Sequence, residues 1–163
     1  MIGKMASTQE RICYTVNFVE RETGLTGVGE YLTLLLELDA FFLNEDRHTN
    51  NIAVIRDEET MRFKLCPIFD NGLALLSDLN DYPAEKDMYD CIQHVHAKPF
   101  STDFDEQAEA AESLYGAQLK LYFNHKDVVQ ALQPLAELYP TEILNRAERV
   151  VFEQMRKYQA YFC

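Results

Sequence analysis

The chain has 163 residues, of which 47% are hydrophobic and 26% charged, so it is long enough to bury a core as one domain. Its net charge of -12 argues against binding to nucleic acid and disfavours an anionic membrane surface, so we expect neither partner. The four cysteines form no CxxC pair, which argues against a zinc or redox motif.

We expect no targeting segment, and the sequence contains no internal repeat. The first residues carry no apolar stretch of the signal-peptide type, and the apolar runs are too short to span a bilayer. We therefore expect a reduced, cytoplasmic setting and a single domain over residues 1–163, without a linker.

The first third of the chain predicts two helices. Ser7 and Glu10 stand at the spacing of a capping box, and apolar residues then recur at helical spacing up to Glu22. Gly24 is a typical helix stop. A second helix, Val28–Leu43, is apolar on several faces, which predicts a central and buried position.

The middle of the chain predicts one β hairpin between two polar loops. A loop at 44–51 precedes a strand at 52–55, and a polar turn leads to a second strand at 61–65. Asn71-Gly72, just beyond the second strand, is a strong turn signal.

The rest of the chain predicts mostly helix. Residues 78–90 suggest a loop with a short helix, and helices are expected at 104–114, at 127–138 and after Pro140-Thr141. The predicted fold class is therefore mainly α, with one small hairpin.

Three polar side chains around the hairpin point to phosphoryl-transfer chemistry. Asp46 lies on the loop after the buried helix, Asn51 begins the first strand, and Asp70 follows the second. Paired strands bring their outer ends together, so these side chains should converge. A carboxylate can accept the proton of an attacking hydroxyl, and an amide oxygen and a second carboxylate are hard ligands suited to magnesium.

The residue pattern of this region resembles that of a known kinase family. The pattern Asn44-x-Asp46-x-His48-x-x-Asn51, followed by a hairpin and Asp70-Asn71-Gly72, resembles the HipA-like serine/threonine kinases, particularly the compact bacterial branch typified by CtkA. The loop is also similar to the Asp-Arg-His-x-x-Asn loop of phosphatidylinositol kinases. The resemblance covers residues 28–115 and includes the segment Lys98-Pro99-Phe100-Ser101.

This resemblance implies a fold and an activity. The fold would be a protein-kinase-like C-terminal lobe, a helical bundle with the hairpin at the active site. The activity would be ATP-dependent transfer of a phosphoryl group to serine or threonine. Asp46 would be the catalytic base, and Asn51 and Asp70 would bind magnesium together with ATP.

Several neighbouring side chains admit more than one interpretation. His48 is a candidate ligand or acid–base group, but we favour a structural histidine that hydrogen-bonds the loop. Asn44 is expected to tie the loop backbone, and Arg47 would contact either a phosphate or a nearby acid. His94 and His96 have metal-like alternate spacing but lack a third ligand nearby, so we interpret them as surface histidines.

The sequence departs from the family in its first 45 residues. Lys4 is the only lysine before Asp46, and the glycine-rich stretch Thr23–Gly29 lies between helices, where it predicts a helix stop and a helix start. No lobe that clamps ATP is evident, so the nucleotide-binding residues stay unassigned.

We therefore expect a catalytic lobe that is inactive by itself and needs a separate N-lobe or a partner protein. Two alternatives stay open: a non-catalytic interaction domain, such as a pseudokinase or a toxin–antitoxin-like component, and, less favoured, a lipid-kinase remnant. The sequence predicts no particular oligomeric state.

Overall fold

Helices dominate the described residues, 5–83 and 85–163, of this computed structural model. The helices are α1 (Thr8–Thr23), α2 (Val28–Phe42), α3 (Met88–His94), α4 (Phe104–Tyr115), α5 (His125–Leu132) and α6 (Thr141–Lys157). The strands β1 (Val54–Arg56) and β2 (Phe63–Leu65) form an antiparallel hairpin in which Val54 pairs with Leu65. Short 3₁₀ helices occur at Thr49–Asn51, Gln133–Glu137 and Gln159–Tyr161. The prediction of a mainly α protein with one hairpin is confirmed.

Local sequence signals determine the ends of α1. The Ser7 hydroxyl accepts a hydrogen bond from the Glu10 amide at 3.1 Å, and the Glu10 carboxylate accepts one from the Ser7 amide at 3.3 Å. At the other end Gly24 has a φ of 71°, a left-handed conformation that glycine adopts without strain. The predicted capping box and helix stop are both confirmed.

The helix α2 is the centre of the fold and packs against α1, α4 and α6. Leu32, Leu35 and Leu36 are each at most 1% exposed, which confirms the prediction of a buried helix. Gly29 allows α4 to approach closely, because a Cβ atom at this position would lie 2.3 Å from a ring carbon of Tyr115.

The predicted boundaries of α5 are wrong at both ends. The helix begins at His125 because Asn124 caps it. The Asn124 side chain accepts a hydrogen bond from the Lys126 amide, and the Asp127 carboxylate accepts one from the Asn124 amide. It ends at Leu132 and continues as a 3₁₀ turn, since Pro134 has no N–H to donate to a continuing α-helix.

The other differences are smaller. Both strands are shorter than predicted: β1 lies closer to the hairpin turn, and β2 begins two residues later, because the turn is longer than expected. In this turn the Asp57 carboxylate accepts hydrogen bonds from the amides of Glu59 and Thr60. The short helix expected within 78–90 begins only at Met88, capped by Asp87. Lys4, which the sequence singles out, lies outside the described residues. Within the described chain, no helix combines the length and the apolar character needed to cross a membrane.

Candidate functional site

The loop that carries Asp46 starts from a sharp turn at the end of α2. Leu43 caps the helix in a left-handed conformation with a φ of 52°. The next residue, Asn44, is 1% exposed and folds back onto Asp39 of α2 through two hydrogen bonds. Its amide donates to the Asp39 carbonyl at 2.9 Å, and its side chain donates to the Asp39 carboxylate at 2.8 Å. The loop is thereby anchored to the central helix.

A buried ion pair between Asp39 and Arg47 lies under the loop. Arg47 Nε and Nη2 donate to the two carboxylate oxygens of Asp39 at 2.8 and 3.0 Å, and both side chains are at most 2% exposed. Burial raises the pKa of Asp39, while the Arg47 guanidinium and the Asn44 amide act in the opposite direction. This two-point geometry is the form of ion pair best able to offset desolvation.

The same guanidinium joins the two ends of the hairpin. Arg47 Nη1 donates to the carbonyls of Asn51 and Phe69 at 3.2 and 2.7 Å, and Nη2 donates to Asn71 Oδ1 at 2.6 Å. One side chain therefore holds the loop before β1 against the loop after β2. Of the two contacts considered for Arg47, a phosphate or a nearby acid, the structure contains the acid.

Asp46, His48 and Asp70 converge at the surface above this network. Each offers one ligand atom, and the three atoms lie within 4.8 Å of one another. Asp46 and His48 are partly buried and Asp70 is exposed, so solvent reaches the site. Asp70 has a φ of 59°, in the left-handed region that aspartate and asparagine tolerate better than most residues.

Asn51 lies directly against the Asp46 backbone. Its side chain is buried, and Nδ2 donates to the Asp46 carbonyl at 3.0 Å. Its position in the 3₁₀ turn Thr49–Asn51 keeps it next to the loop. The amide oxygen, which carries the lone pairs of this side chain, is the atom of Asn51 that can serve as a metal ligand.

A cation from a distant segment reaches Asp46. Lys98 Nζ lies 3.6 Å from Asp46 Oδ1, and the two side chains are 52% and 35% exposed. Buried Gln107 of α4 donates to the Lys98 carbonyl at 3.2 Å, and Arg11 of α1 donates to the Phe100 carbonyl at 2.7 Å. The segment that carries Lys98 is thus held by two helices.

Sequence reasoning assigned no site role to Asp39, Asn71 or Lys98, although Asn71 belongs to the predicted turn and Lys98 to the segment that resembles the kinase family. Asp39 could have been found from its place on the buried face of an apolar helix, because a buried charge needs a partner. Lys98 carried no comparable local signal, since its contact with Asp46 depends on the tertiary fold. His94 and His96 are exposed, and neither belongs to the group of possible metal ligands found in the described part of the chain.

The chemistry available here is that of a small polar site open to solvent. It offers two carboxylates, one imidazole and one amide oxygen, and among the described residues one ammonium group pairs with Asp46. Such groups can accept a proton, hold a divalent cation and attract a phosphate. Scans against protein-family models, curated proteins and solved structures give no significant match to this chain.

Proposed function

We propose that this chain contains the catalytic C-terminal lobe of a HipA-like serine/threonine kinase of the CtkA-like bacterial branch. In the intact or complemented enzyme it would transfer the γ-phosphoryl group of ATP to a serine or threonine hydroxyl. The supporting observation is the convergence of Asp46 and Asp70, whose loops are held together by Arg47. Phosphoryl transfer depends mainly on the positioning of groups and on charge. This spatial arrangement therefore supports the proposal more strongly than the sequence motif alone does.

The proposal gives each side chain a separate task. Asp46 would orient the acceptor hydroxyl and take its proton. Asn51 and Asp70 would hold magnesium, and their hard oxygen donors fit that ion. Magnesium would neutralise charge on the phosphates of ATP. Lys98, whose ammonium lies beside Asp46, would attract the transferred phosphoryl group.

The clamp on the nucleotide would come from another segment or another chain. The glycine-rich stretch Thr23–Gly29 connects α1 to α2, with Gly24 ending one helix and Gly27 beginning the next, as expected. Within the described residues, the only paired strands of a sheet are β1 and β2, which flank the site itself. A separate N-lobe that binds ATP is therefore the partner that the proposal requires.

A complementation assay tests this proposal. The chain would be assayed with radiolabelled ATP and a general protein substrate, alone and after co-expression with the product of the coding sequence immediately upstream. We expect transfer only from the combination, and none from the chain alone. Robust transfer by the chain alone, abolished in Asp46→Asn, would show that this chain already contains a nucleotide clamp.

The non-catalytic alternative has one supporting observation: Asp46 is paired with Lys98, as it would be in a site that needs no free base. A chain used only for binding would still bind its partner protein after Asp46→Asn. It would transfer no phosphoryl group from ATP, either alone or with the co-expressed upstream product.

A further inference from the structure

We propose that a cavity between the start of α3 and the first half of α6 binds a single phosphate monoester group. The cavity has a volume of about 210 Å³ and is lined by Lys86, Met88, Glu142, Asn145, Arg146 and Arg149. None of these residues belongs to the site around Asp46, so the inference goes beyond the proposed function and does not rest on it.

The charge of this cavity is opposite to that of the whole chain. Three cationic side chains and one carboxylate line it, whereas the chain carries 27 acidic and 15 basic residues. Lys86 and Arg149 are exposed, and neither forms an ion pair within residues 5–83 and 85–163. Cations gathered in one cleft repel one another, so an anionic ligand would stabilise this arrangement.

The third cation is built into the wall of the cavity. Arg146 is 7% exposed, and its two Nη atoms donate to the carbonyls of Tyr82 and Pro83, the latter at 2.6 Å. No carboxylate pairs with it in the part of the chain that the structure describes. A buried charge that is bonded only to neutral carbonyls favours an anion nearby.

The nearby carboxylates reduce this positive charge only in part. Glu142 is the one acid that lines the cavity. Glu153 accepts hydrogen bonds from the Tyr89 hydroxyl at 2.9 Å and from Arg156 at 3.0 Å. These bonds are the main causes that lower the pKa of Glu153, and the charge of Arg149 adds to them. Because Glu153 is bonded to other partners, the donors of Arg149 stay available to a ligand.

The donors and the size of the cavity favour one phosphate group. A guanidinium matches the geometry of phosphate oxygens, and a phosphate monoester carries nearly two negative charges at neutral pH. A water molecule takes up about 30 Å³ of the liquid, so a cavity of about 210 Å³ admits the phosphate and leaves the esterified group at the surface. The net charge of -12 repels longer polyanions, nucleic acid among them.

Fluorescence anisotropy of a labelled phosphoserine peptide, titrated with the full chain, tests the site. The peptide would be short and otherwise uncharged, and its unphosphorylated form would be titrated in parallel. We expect one phosphopeptide per chain and no binding of the unphosphorylated form. Lys86→Met and Arg149→Met should each lower the affinity about tenfold, the low end for a charge-assisted hydrogen bond, because both side chains are exposed.

Three further variants separate a local site from the overall charge. Lys126→Met and Arg62→Met make the same charge changes at exposed positions outside the cavity, and they should leave the affinity unchanged. Glu142→Gln removes the opposing carboxylate and should tighten binding. Arg146 is kept, since it also holds the backbone at residues 82 and 83. Urea midpoints would verify that each variant is folded.

Competition identifies the source of the phosphate. Displacement of the peptide by glycerol 3-phosphate at similar concentration would identify small phosphorylated molecules as ligands, whereas resistance to it would identify a phosphorylated protein segment. Both results support the cavity as a phosphate monoester site.

Four results would overturn the inference. They are the absence of binding by the native chain, equal binding of the unphosphorylated peptide, equal displacement by inorganic sulfate, which would show a general anion effect, and equal weakening in the Lys126→Met and Arg62→Met controls.

Discussion

At the residue scale, Arg47 connects more parts of the candidate site than its neighbours do. Its guanidinium bonds Asp39 of the central helix, two backbone carbonyls and Asn71. Five N–H donors in a rigid plane make this possible, and a lysine ammonium could not reproduce the geometry. The position of Asp46 relative to Asp70 therefore depends on a side chain that does not itself reach solvent.

Removal of Arg47 should strongly destabilise the protein. Arg47→Met leaves the Asp39 carboxylate buried without its charge partner, and we expect a loss of about 3–5 kcal/mol in the free energy of unfolding, measured with urea. The double variant Asp39→Asn/Arg47→Met should be less destabilised than the sum of the two single variants, since it also removes the buried charge. A loss below about 1 kcal/mol for Arg47→Met would contradict this account.

Glu37 is a second buried acid, and it predicts a pH dependence of stability. It is 0% exposed in α2 and accepts hydrogen bonds from the amides of Gln118 and Leu119. Burial, together with nearby Glu112, raises its pKa from 4.5 to about 7, although the two amides act in the opposite direction. The folded state therefore keeps a proton that the unfolded state loses near pH 4.5.

The sign of the Glu37 effect follows from proton binding. Between pH 4.5 and about 7 the folded state binds more protons than the unfolded state does. The stabilisation that protonated Glu37 contributes is therefore complete below pH 4.5 and declines as the pH rises toward 7. The decline should be at most about 1.4 kcal/mol per pH unit. Urea unfolding across this range should show it, and Glu37→Gln, which cannot titrate, should flatten the profile. An unchanged slope in Glu37→Gln would assign the effect to other groups.

At the scale of elements, α2 is the central helix of the fold, and the loop that carries the candidate site begins at its end. Its apolar side chains fill the space between α1, α4 and α6, while Asp39 near its end anchors the loop that carries Asp46. Because the same helix forms the core and anchors the loop of the candidate site, core packing and site geometry are coupled.

A core substitution in α2 tests this role. Leu35→Ala removes a side chain that is 0% exposed, and we expect a loss of about 2–5 kcal/mol in the free energy of unfolding. Leu138→Ala is the matched control, since Leu138 is 74% exposed and its truncation should be nearly neutral. A near-neutral result for Leu35→Ala in a denaturant titration would show that α2 is peripheral.

Elements with strong local signals could be predicted from the sequence, and those shaped by tertiary contacts could not. The capping box of α1, the glycine that ends it and the apolar character of α2 are local features, and all three predictions hold. The strand ends depend on the turn built around Asp57, and the contact of Lys98 with Asp46 depends on how α1 and α4 hold a distant segment. Neither leaves a periodic pattern in the sequence.

At the scale of the whole molecule, the candidate site is assembled from three separate stretches of chain. The loop after α2 supplies Asp46, the segment after β2 supplies Asp70, and the segment before α4 supplies Lys98. The convergence of the first two could be inferred from hairpin geometry. The buried ion pair that holds them could not, because Asp39 and Arg47 each have several possible partners in sequence.

The most direct test of the central claim is the rate of phosphoryl transfer by the complemented enzyme with and without Asp46. General bases contribute about 10²–10⁴-fold to such rates, so Asp46→Asn should lower kcat by at least about 100-fold. Asp90→Asn, at an exposed position of α3, should retain the native rate. Transfer from radiolabelled ATP that is equally fast in native protein and in Asp46→Asn would contradict the account.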